Sequence, residues 1–315
     1  MRRDESRLLA AHLDRTLRRL ALQAEEKARS LSHGHVPSVI PGRGVEVAGV
    51  REYQPGDEVR GIDWRVTARK GRLHVKEFTG ERDLPVLVVL DPSPTLRAGR
   101  SGVKACRARE VASILLALAL REGHRAGLLH GGAGSGEMGV PHGGRRQLLR
   151  LLSALLDDEG PASPPPLSEI LETANRVMSA AGRLFLVSDF QRSPGEGKAL
   201  KGPLGRLARR HHVTPVWIRD EREGRFPPRG GLLLREPGEA RWTRVPEGGG
   251  GLAEALEEER RCVAALFREL GLEPWAVPVD RPVVESLRSR MIPSHRGAGR
   301  SSGRSARPGW RRRRA

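Results

Sequence analysis

Aromatic and lysine side chains are scarce in this chain of 315 residues. Aromatic residues make up 3% of it, and six lysines accompany 50 arginines. With so few rings, the stacking platforms that hold single-stranded nucleic acid are poorly supplied. Two cysteines, Cys106 and Cys262, cannot form a disulfide scaffold. Both fall in helical patterns, so we expect them to pack as small apolar side chains.

Long apolar runs are absent as well. The best candidate, residues 114–120, is far shorter than the roughly 18–20 residues that a membrane-spanning helix needs. The N-terminal residues are interrupted by charge throughout, unlike a secretory signal. No Walker phosphate loop, zinc-ligand spacing or nucleophile elbow occurs in the sequence. These absences predict a cytoplasmic protein that is not an enzyme.

Positive charge is plentiful and unevenly placed. The chain has 56 basic and 38 acidic residues, for a net charge of +18. Residues 295–315 alone hold eight arginines and no acid, and we expect a disordered basic tail over 293–315. Such charge attracts phosphates. A nucleic-acid-binding protein that uses its basic surface and tail is therefore the alternative function from charge.

Strands and helices are predicted to alternate along most of the chain. The run PVLVVL at Pro85–Leu90 is typical of a strand buried on both faces. Further short strands are predicted at 126–129, 184–187, 213–218 and 275–279, with helices between them. This order predicts an α/β fold over 82–292, a doubly wound and mostly parallel sheet. Residues 1–81 are predicted to form an N-terminal helix and a small subdomain.

Two acids follow buried strands of that sheet. Asp91 ends the first strand and Asp189 ends a later one, and Ser93 and Thr95 stand two and four residues after Asp91. Ligands of such sheets bind outside the carboxyl ends of the strands, and hard oxygen donors suit Mg²⁺. The same residue types also cap helices without any metal. The residues alone leave both interpretations open.

The segment DPSPT at 91–95 resembles the metal-ion-dependent adhesion site of von Willebrand factor A-type domains. The first motif of that site reads D-x-S-x-S, and Asp189 in LFLVSDF matches its later acid. The resemblance implies a von Willebrand factor A-like fold and Mg²⁺ held by Asp91, Ser93, Thr95 and Asp189. That family also carries a threonine between the two motifs, where this chain reads HGGRR at 142–146.

A second and denser resemblance lies just before the first strand of the sheet. Residues 51–78, REYQPGDEVRGIDWRVTARKGRLHVKEF, resemble the signature of the bacterial family known as domain of unknown function 58. The matching residues are Arg51, Tyr53, Gly56, Asp57, Arg60, Ile62, Asp63, Trp64, Thr67, Ala68 and Arg69.

This resemblance implies a partner. Members of the family are commonly associated with MoxR-type AAA+ ATPases, which implies an adaptor or accessory factor in chaperone-like assembly or maturation. Other von Willebrand factor A-type proteins are further expected partners. An acidic side chain of the partner would complete the Mg²⁺ shell, by analogy with adhesion sites.

The signature segment also has a logic of its own. Its acids alternate with arginines, which predicts an ion-pair network around Trp64. Two interpretations follow: the cluster fixes the small N-terminal subdomain, or it forms a partner-binding surface. The residues of that surface would be Arg51, Tyr53, Asp57, Arg60, Asp63, Trp64 and Arg69.

Overall fold

A computed structural model describes most of the chain between residues 18 and 291. The described ranges are 18–31, 47–54, 62–78, 84–97, 102–131, 138–156, 164–191, 196–225, 232–235, 242–247 and 251–291. The predictions made for Gly56, Asp57 and Arg60, and for the tail 293–315, lie outside the described residues.

The elements alternate as the sequence predicts. In chain order they are α1 (18–31), β1 (Val47–Glu52), α2 (Trp64–Lys70), β2 (His74–Phe78), β3 (Pro85–Leu90), α3 (Pro94–Arg97), α4 (Val103–Arg121), β4 (Arg125–Leu129), α5 (Arg145–Leu156), α6 (Leu167–Val177), β5 (Arg183–Ser188), α7 (Glu196–Arg210), β6 (His212–Arg219), β7 (Leu232–Arg235), β8 (Trp242–Val245), α8 (Leu252–Glu269), β9 (Trp275–Pro278) and α9 (Val283–Met291).

Five strands form one sheet in the order β4-β3-β5-β6-β9. Every neighbouring pair in it is parallel, which confirms the predicted α/β fold with a parallel sheet. After β3 the chain builds β4 on one side, then crosses to β5 on the other side. The strand order therefore reverses between β3 and β5. Ligands of open parallel sheets bind in the crevice beside such a reversal, at the carboxyl ends of the strands.

The strand β3 separates two hydrophobic cores. Successive side chains of a strand point to opposite faces, and all six residues of β3 are buried. Val86, Val88 and Leu90 join a core with α4 and α5. Leu87 and Val89 join the other core, with α6, α7 and α8. The continuous apolar run is thus explained by burial on both faces.

The helix α1 packs on the first of these cores. Ala21, Ala24, Ala28 and Leu31 are buried in it, and Lys27 forms an ion pair with Glu110 of α4 at 2.5 Å. A stripe of small residues lets the helix lie close to its neighbours. The division of the chain at 81/82 stays a prediction, but α1 shares its buried face with the main body.

The signature segment forms a smaller unit of its own. Strands β1 and β2 pair in an antiparallel two-stranded sheet. Between them lies α2, a helix that the sequence analysis did not predict, because its residues are polar and no apolar stripe marks it. A second antiparallel pair, β7 and β8, lies between β6 and α8.

Two further observations concern the expectations from composition. Both cysteines are exposed, so the expectation that they pack as apolar side chains is wrong. Their helices turn other residues inward, such as Lys104 and Ala108 of α4 and Val263 of α8. Within the described ranges, no helix is both long and apolar enough to cross a membrane.

Candidate functional site

The carboxyl ends of β3 and β5 bring the predicted strand-end residues together. Asp91 Oδ1 accepts from the backbone N–H of Ser93 at 2.9 Å, and Asp91 Oδ2 accepts from the hydroxyl of Ser188. The tight turn after β3 thereby fixes the Asp91 carboxylate, which is buried. The turn then leads into the short helix α3 at Pro94.

The hydroxyl of Thr95 connects the two strand ends. It donates to Asp189 Oδ1 at 3.0 Å and lies 2.8 Å from the hydroxyl oxygen of Ser93. Asp189 is 2% exposed, and its Oδ1 also accepts from the backbone N–H of Gln191 at 3.2 Å. The four residues that the sequence analysis selected, Asp91, Ser93, Thr95 and Asp189, therefore lie in one hydrogen-bonded cluster.

A lysine that the sequence analysis did not select completes this cluster. Lys104, in the first turn of α4, is 3% exposed. Its ammonium donates to Asp189 Oδ2 at 2.7 Å and forms an ion pair with Glu223. Burial lowers the pKa of Lys104, but the carboxylates of Asp189 and Glu223 outweigh burial and raise that pKa above its ordinary value. The side chain is therefore a cation at neutral pH.

Glu223 extends the network to the loop after β6 and to α8. Its Oε2 accepts from the side-chain amide of Gln191 at 2.6 Å and lies 3.5 Å from Arg260. The indole N–H of Trp217 donates to the backbone oxygen of Asp189 at 2.9 Å. Side chains from α4, β6, α8 and the loops after β5 and β6 are thus tied to one buried ammonium. Such a network is sensitive to substitution, because removing one partner leaves another buried polar group without its hydrogen bond.

The donor set at this edge suits Mg²⁺ in its spacing but not in its charge. The oxygen spacing is suitable, since neighbouring ligands of an octahedral Mg²⁺ lie roughly 2.9 Å apart and the hydroxyls of Ser93 and Thr95 are 2.8 Å apart. The charge is not suitable, because Lys104 already neutralises Asp189. Among the described residues there is also no group of three or more His, Cys, Asp or Glu side chains that could hold a metal. Mg²⁺ binding stays a prediction, and no step below depends on it.

The loop that would carry the missing threonine lies elsewhere. His142 pairs with Ala126 near the start of β4 through hydrogen bonds of 2.9 and 3.1 Å. Residues 142–146 therefore lead into α5 beside the amino end of that strand. Because the acidic cluster occupies the carboxyl ends, this loop supplies no ligand to it.

The predicted partner-binding residues are displayed by α2 and the strand before it. Trp64 is 65% exposed, and α2 has no buried residue. Asp63 caps the helix, accepting from the backbone N–H groups of Arg65 at 3.0 Å and Val66 at 3.2 Å. Asp63 thus acts as an N-cap, and the ion-pair network expected around Trp64 stays a prediction, because Asp57 and Arg60 lie outside the described residues. Arg51 and Tyr53 are half-buried and Arg69 is exposed.

Comparison with known proteins places the signature segment within a longer family match. Residues 49–260 match the family described as "Protein of unknown function DUF58". The chain belongs to the DUF58 family. This DUF58 chain is 29% identical to the uncharacterized protein Rv1480 of Mycobacterium tuberculosis, over 94% of this chain and 92% of that protein. It is equally similar to the uncharacterized protein Mb1516 of Mycobacterium bovis.

A shorter match adds a relative from another bacterium. The DUF58 chain is 41% identical to the uncharacterized protein YeaD of Bacillus subtilis over 44 residues, which is 14% of this chain and 11% of that protein. No solved structure matches the DUF58 chain.

Lys104 and Glu223 are the site residues that the sequence analysis missed. A signal for Lys104 was available, because it precedes Ala108, Val111 and Leu115 at helical spacing, on the buried face of α4. A lysine on such a face requires a buried anion, and Asp91 and Asp189 are the acids at strand ends. Glu223 lies in a polar turn after β6, where the pattern offers no comparable signal.

Proposed function

We infer that this DUF58 protein is a non-enzymatic protein-interaction module. Its proposed role is that of an adaptor or accessory factor of a MoxR-type AAA+ ATPase in chaperone-like assembly or maturation. Its contact surface is α2 with the exposed Trp64. The association of the family with such ATPases motivates the choice of partner, and the exposed tryptophan carries the choice of surface.

Among the large apolar side chains of the described residues Trp64 is the most exposed, ahead of Leu233 at 63% and Trp242 at 57%. The chain has 5 Trp, 1 Tyr and 5 Phe residues, and most large apolar side chains of the described core are buried. Because the Trp64 side chain remains 65% exposed, folding buries only a minor part of its apolar surface. Tryptophan and arginine dominate the binding energy of protein interfaces. Trp64 is followed by Arg65, and Arg69 and Lys70 lie one turn further along the same exposed helix.

The helix is held rigidly enough to present that ring. Asp63 caps its start and Gly71, at φ +71°, ends it with a backbone N–H bond to the Thr67 oxygen. The hydroxyl of Thr67 accepts from the backbone N–H of His74 in β2 at 3.0 Å. A pre-organised surface loses little entropy on binding. We expect the partner to offer an apolar pocket with acidic side chains at its rim.

The sheet edge supports a non-enzymatic role. Its carboxylates and hydroxyls are engaged with one another and with Lys104. The cleft lined by Asp91, Ser93 and Arg109 has a cavity volume of about 20 Å³, far below the roughly 300–1,000 Å³ that is usual for small-molecule sites.

Binding of the purified chain to a MoxR-type ATPase from the same organism tests the proposal. Trp64→Ala is expected to raise the dissociation constant by about 30-fold or more. This change corresponds to the loss of about 2 kcal/mol, as for an interface hot spot. Trp242→Ala is the matched control, because Trp242 is 57% exposed on the β7–β8 pair. Equal affinities for the wild type and Trp64→Ala would contradict the chosen surface. Absence of binding by the wild type would contradict the choice of partner.

Nucleic-acid binding is the second candidate, and the net charge of +18 supports it. It predicts an affinity that falls steeply with salt, because basic residues release counterions from phosphates. Titration of the full chain with a DNA duplex and with RNA, at low and physiological salt, separates the candidates. Tight salt-dependent binding that Trp64→Ala leaves unchanged would favour this alternative.

A further inference from the structure

The ammonium of Lys104 occupies an unusual position for a lysine. It is buried at 3% exposure, whereas lysine heads ordinarily remain in water. Removing an ammonium from water is costly unless charged partners surround it. Here Asp189 accepts from it at 2.7 Å, and Glu223 pairs with it from another loop. Two carboxylates from neighbouring strand ends thus converge on one cation that the chain itself supplies.

Other donors occupy one oxygen of each of these carboxylates. Asp189 Oδ1 takes the Thr95 hydroxyl and the Gln191 N–H, which leaves Oδ2 for the lysine. Glu223 Oε2 takes the Gln191 amide, which leaves Oε1 for the lysine. The network is therefore arranged around the ammonium and not around an empty space.

We propose that Lys104 is the resident cation of this sheet edge and replaces the divalent metal of an adhesion-type site. The cluster then needs no metal to balance Asp189, and the wild-type edge does not take up Mg²⁺ or Mn²⁺. A partner cannot complete a metal shell there, so partner binding does not respond to chelators. The cation proposal concerns the isolated chain and stands without the proposed ATPase partner.

The proposal makes a gain-of-binding prediction. Without the ammonium, the carboxyl groups of Asp189 and Glu223 lose the cation that they share, and Asp91 lies at the same edge. The hydroxyl oxygens of Ser93 and Thr95, 2.8 Å apart, and Asp189 Oδ1, 3.0 Å from Thr95, are spaced as neighbouring ligands of Mg²⁺. Lys104→Ala removes the charge and also opens space for an ion with its waters. This variant should bind a divalent cation that the wild type does not bind.

Calorimetric titration of the full-length chain with Mn²⁺ and with Mg²⁺ tests the proposal. The expected result is no saturable binding by the wild type or by Lys201→Ala, and one site in Lys104→Ala. Lys201 is the control because its ion pair with Glu269 is exposed. Asp91→Ala added to Lys104→Ala should remove the new site. Saturable binding by the wild type that is lost in Asp91→Ala would overturn the proposal, as would a folded Lys104→Ala that binds no metal.

Thermal unfolding supplies a second readout if Lys104→Ala is too unstable for calorimetry. Mg²⁺ at 100 times its dissociation constant should raise the Tm of that variant by about 4–5 °C and leave the Tm of the wild type unchanged. Lys104→Met keeps the methylene stem and serves as the milder variant. A Tm that rises equally with Mg²⁺ in the wild type and in both variants would overturn the proposal.

Discussion

Replacing Lys104 with methionine perturbs one charge and little else. Methionine keeps an unbranched apolar side chain of similar length, so the change removes the ammonium without opening a large cavity. Asp189, at 2% exposure, then loses the donor that lies 2.7 Å from its Oδ2. Glu223 loses the same partner but keeps Gln191. Asp189 Oδ1 keeps the Thr95 hydroxyl and the Gln191 N–H, so the cost of the substitution reports mainly the loss of the cation at the buried Oδ2.

The magnitude follows from the burial of the pair. Breaking a buried ion pair by removing one partner costs about 3–5 kcal/mol, because the remaining charge stays buried. Each kcal/mol shifts the Tm of a protein of this size by roughly 1.5–2 °C. We therefore expect Lys104→Met to lower the Tm by about 5–10 °C. The matched substitution Lys201→Met breaks an exposed pair with Glu269 and should cost less than about 1 kcal/mol.

Urea unfolding followed by circular dichroism measures the loss, and a second substitution identifies its cause. Asp189→Asn removes the charge that Lys104→Met leaves unpaired. The double variant should therefore lose less stability than the two single variants together, with a coupling of about 1–3 kcal/mol. The reasoning is refuted if Lys104→Met costs no more than Lys201→Met. It is also refuted if the two losses simply add.

Two further predictions concern other parts of the fold. Burial and the charge of Arg210 lower the pKa of His211 below its ordinary value of 6.5. As the pH falls, His211 therefore binds a proton in the unfolded chain before it does so in the folded chain. The free energy of unfolding should therefore fall as the pH drops from 7 to 5, by at most about 1.4 kcal/mol per pH unit for this group. Urea titrations at the two pH values should show a smaller fall for His211→Gln than for the wild type. An equal fall in both proteins would contradict the assignment. A Cβ on Gly127 would lie 2.3 Å from the Gly139 oxygen, so Gly127→Ala should cost about 1–3 kcal/mol, whereas Gly202→Ala inside α7, whose nearest atom is 3.7 Å away, should stabilise by about 0.5–1 kcal/mol. A Gly127→Ala protein as stable as the wild type would show that β4 and the segment after it are not packed this closely.

The parallel sheet could be predicted because burial on both faces leaves a readable pattern. The run at Pro85–Leu90 is apolar at every position since both cores need it, and the predicted bounds agree with the strand. The convergence of Asp91 and Asp189 follows from the same reasoning, because parallel strands end at one edge. Which strands are neighbours is a long-range property, and the sequence pattern alone did not specify it.

The predictions failed where polar residues have structural roles. The helix α2 begins at a tryptophan and carries no apolar stripe, so its caps, Asp63 and Gly71, are its clearest signals. In α4 we expected Cys106 to pack as a small apolar side chain, but both Cys106 and the neighbouring Val103 are exposed. The buried face instead begins at Lys104. A charged residue at a buried position interrupts the apolar periodicity that predicts a buried helix face. Such buried charges often mark a functional site.

The measurement to make first is the binding of the purified chain to a nucleotide-free MoxR-type ATPase, in EDTA and again in Mg²⁺. The account predicts saturable binding with the same dissociation constant in both buffers. It also predicts about 30-fold weaker binding by Trp64→Ala and unchanged binding by Trp242→Ala. Binding that disappears in EDTA, or that Trp64→Ala leaves intact, would contradict the account.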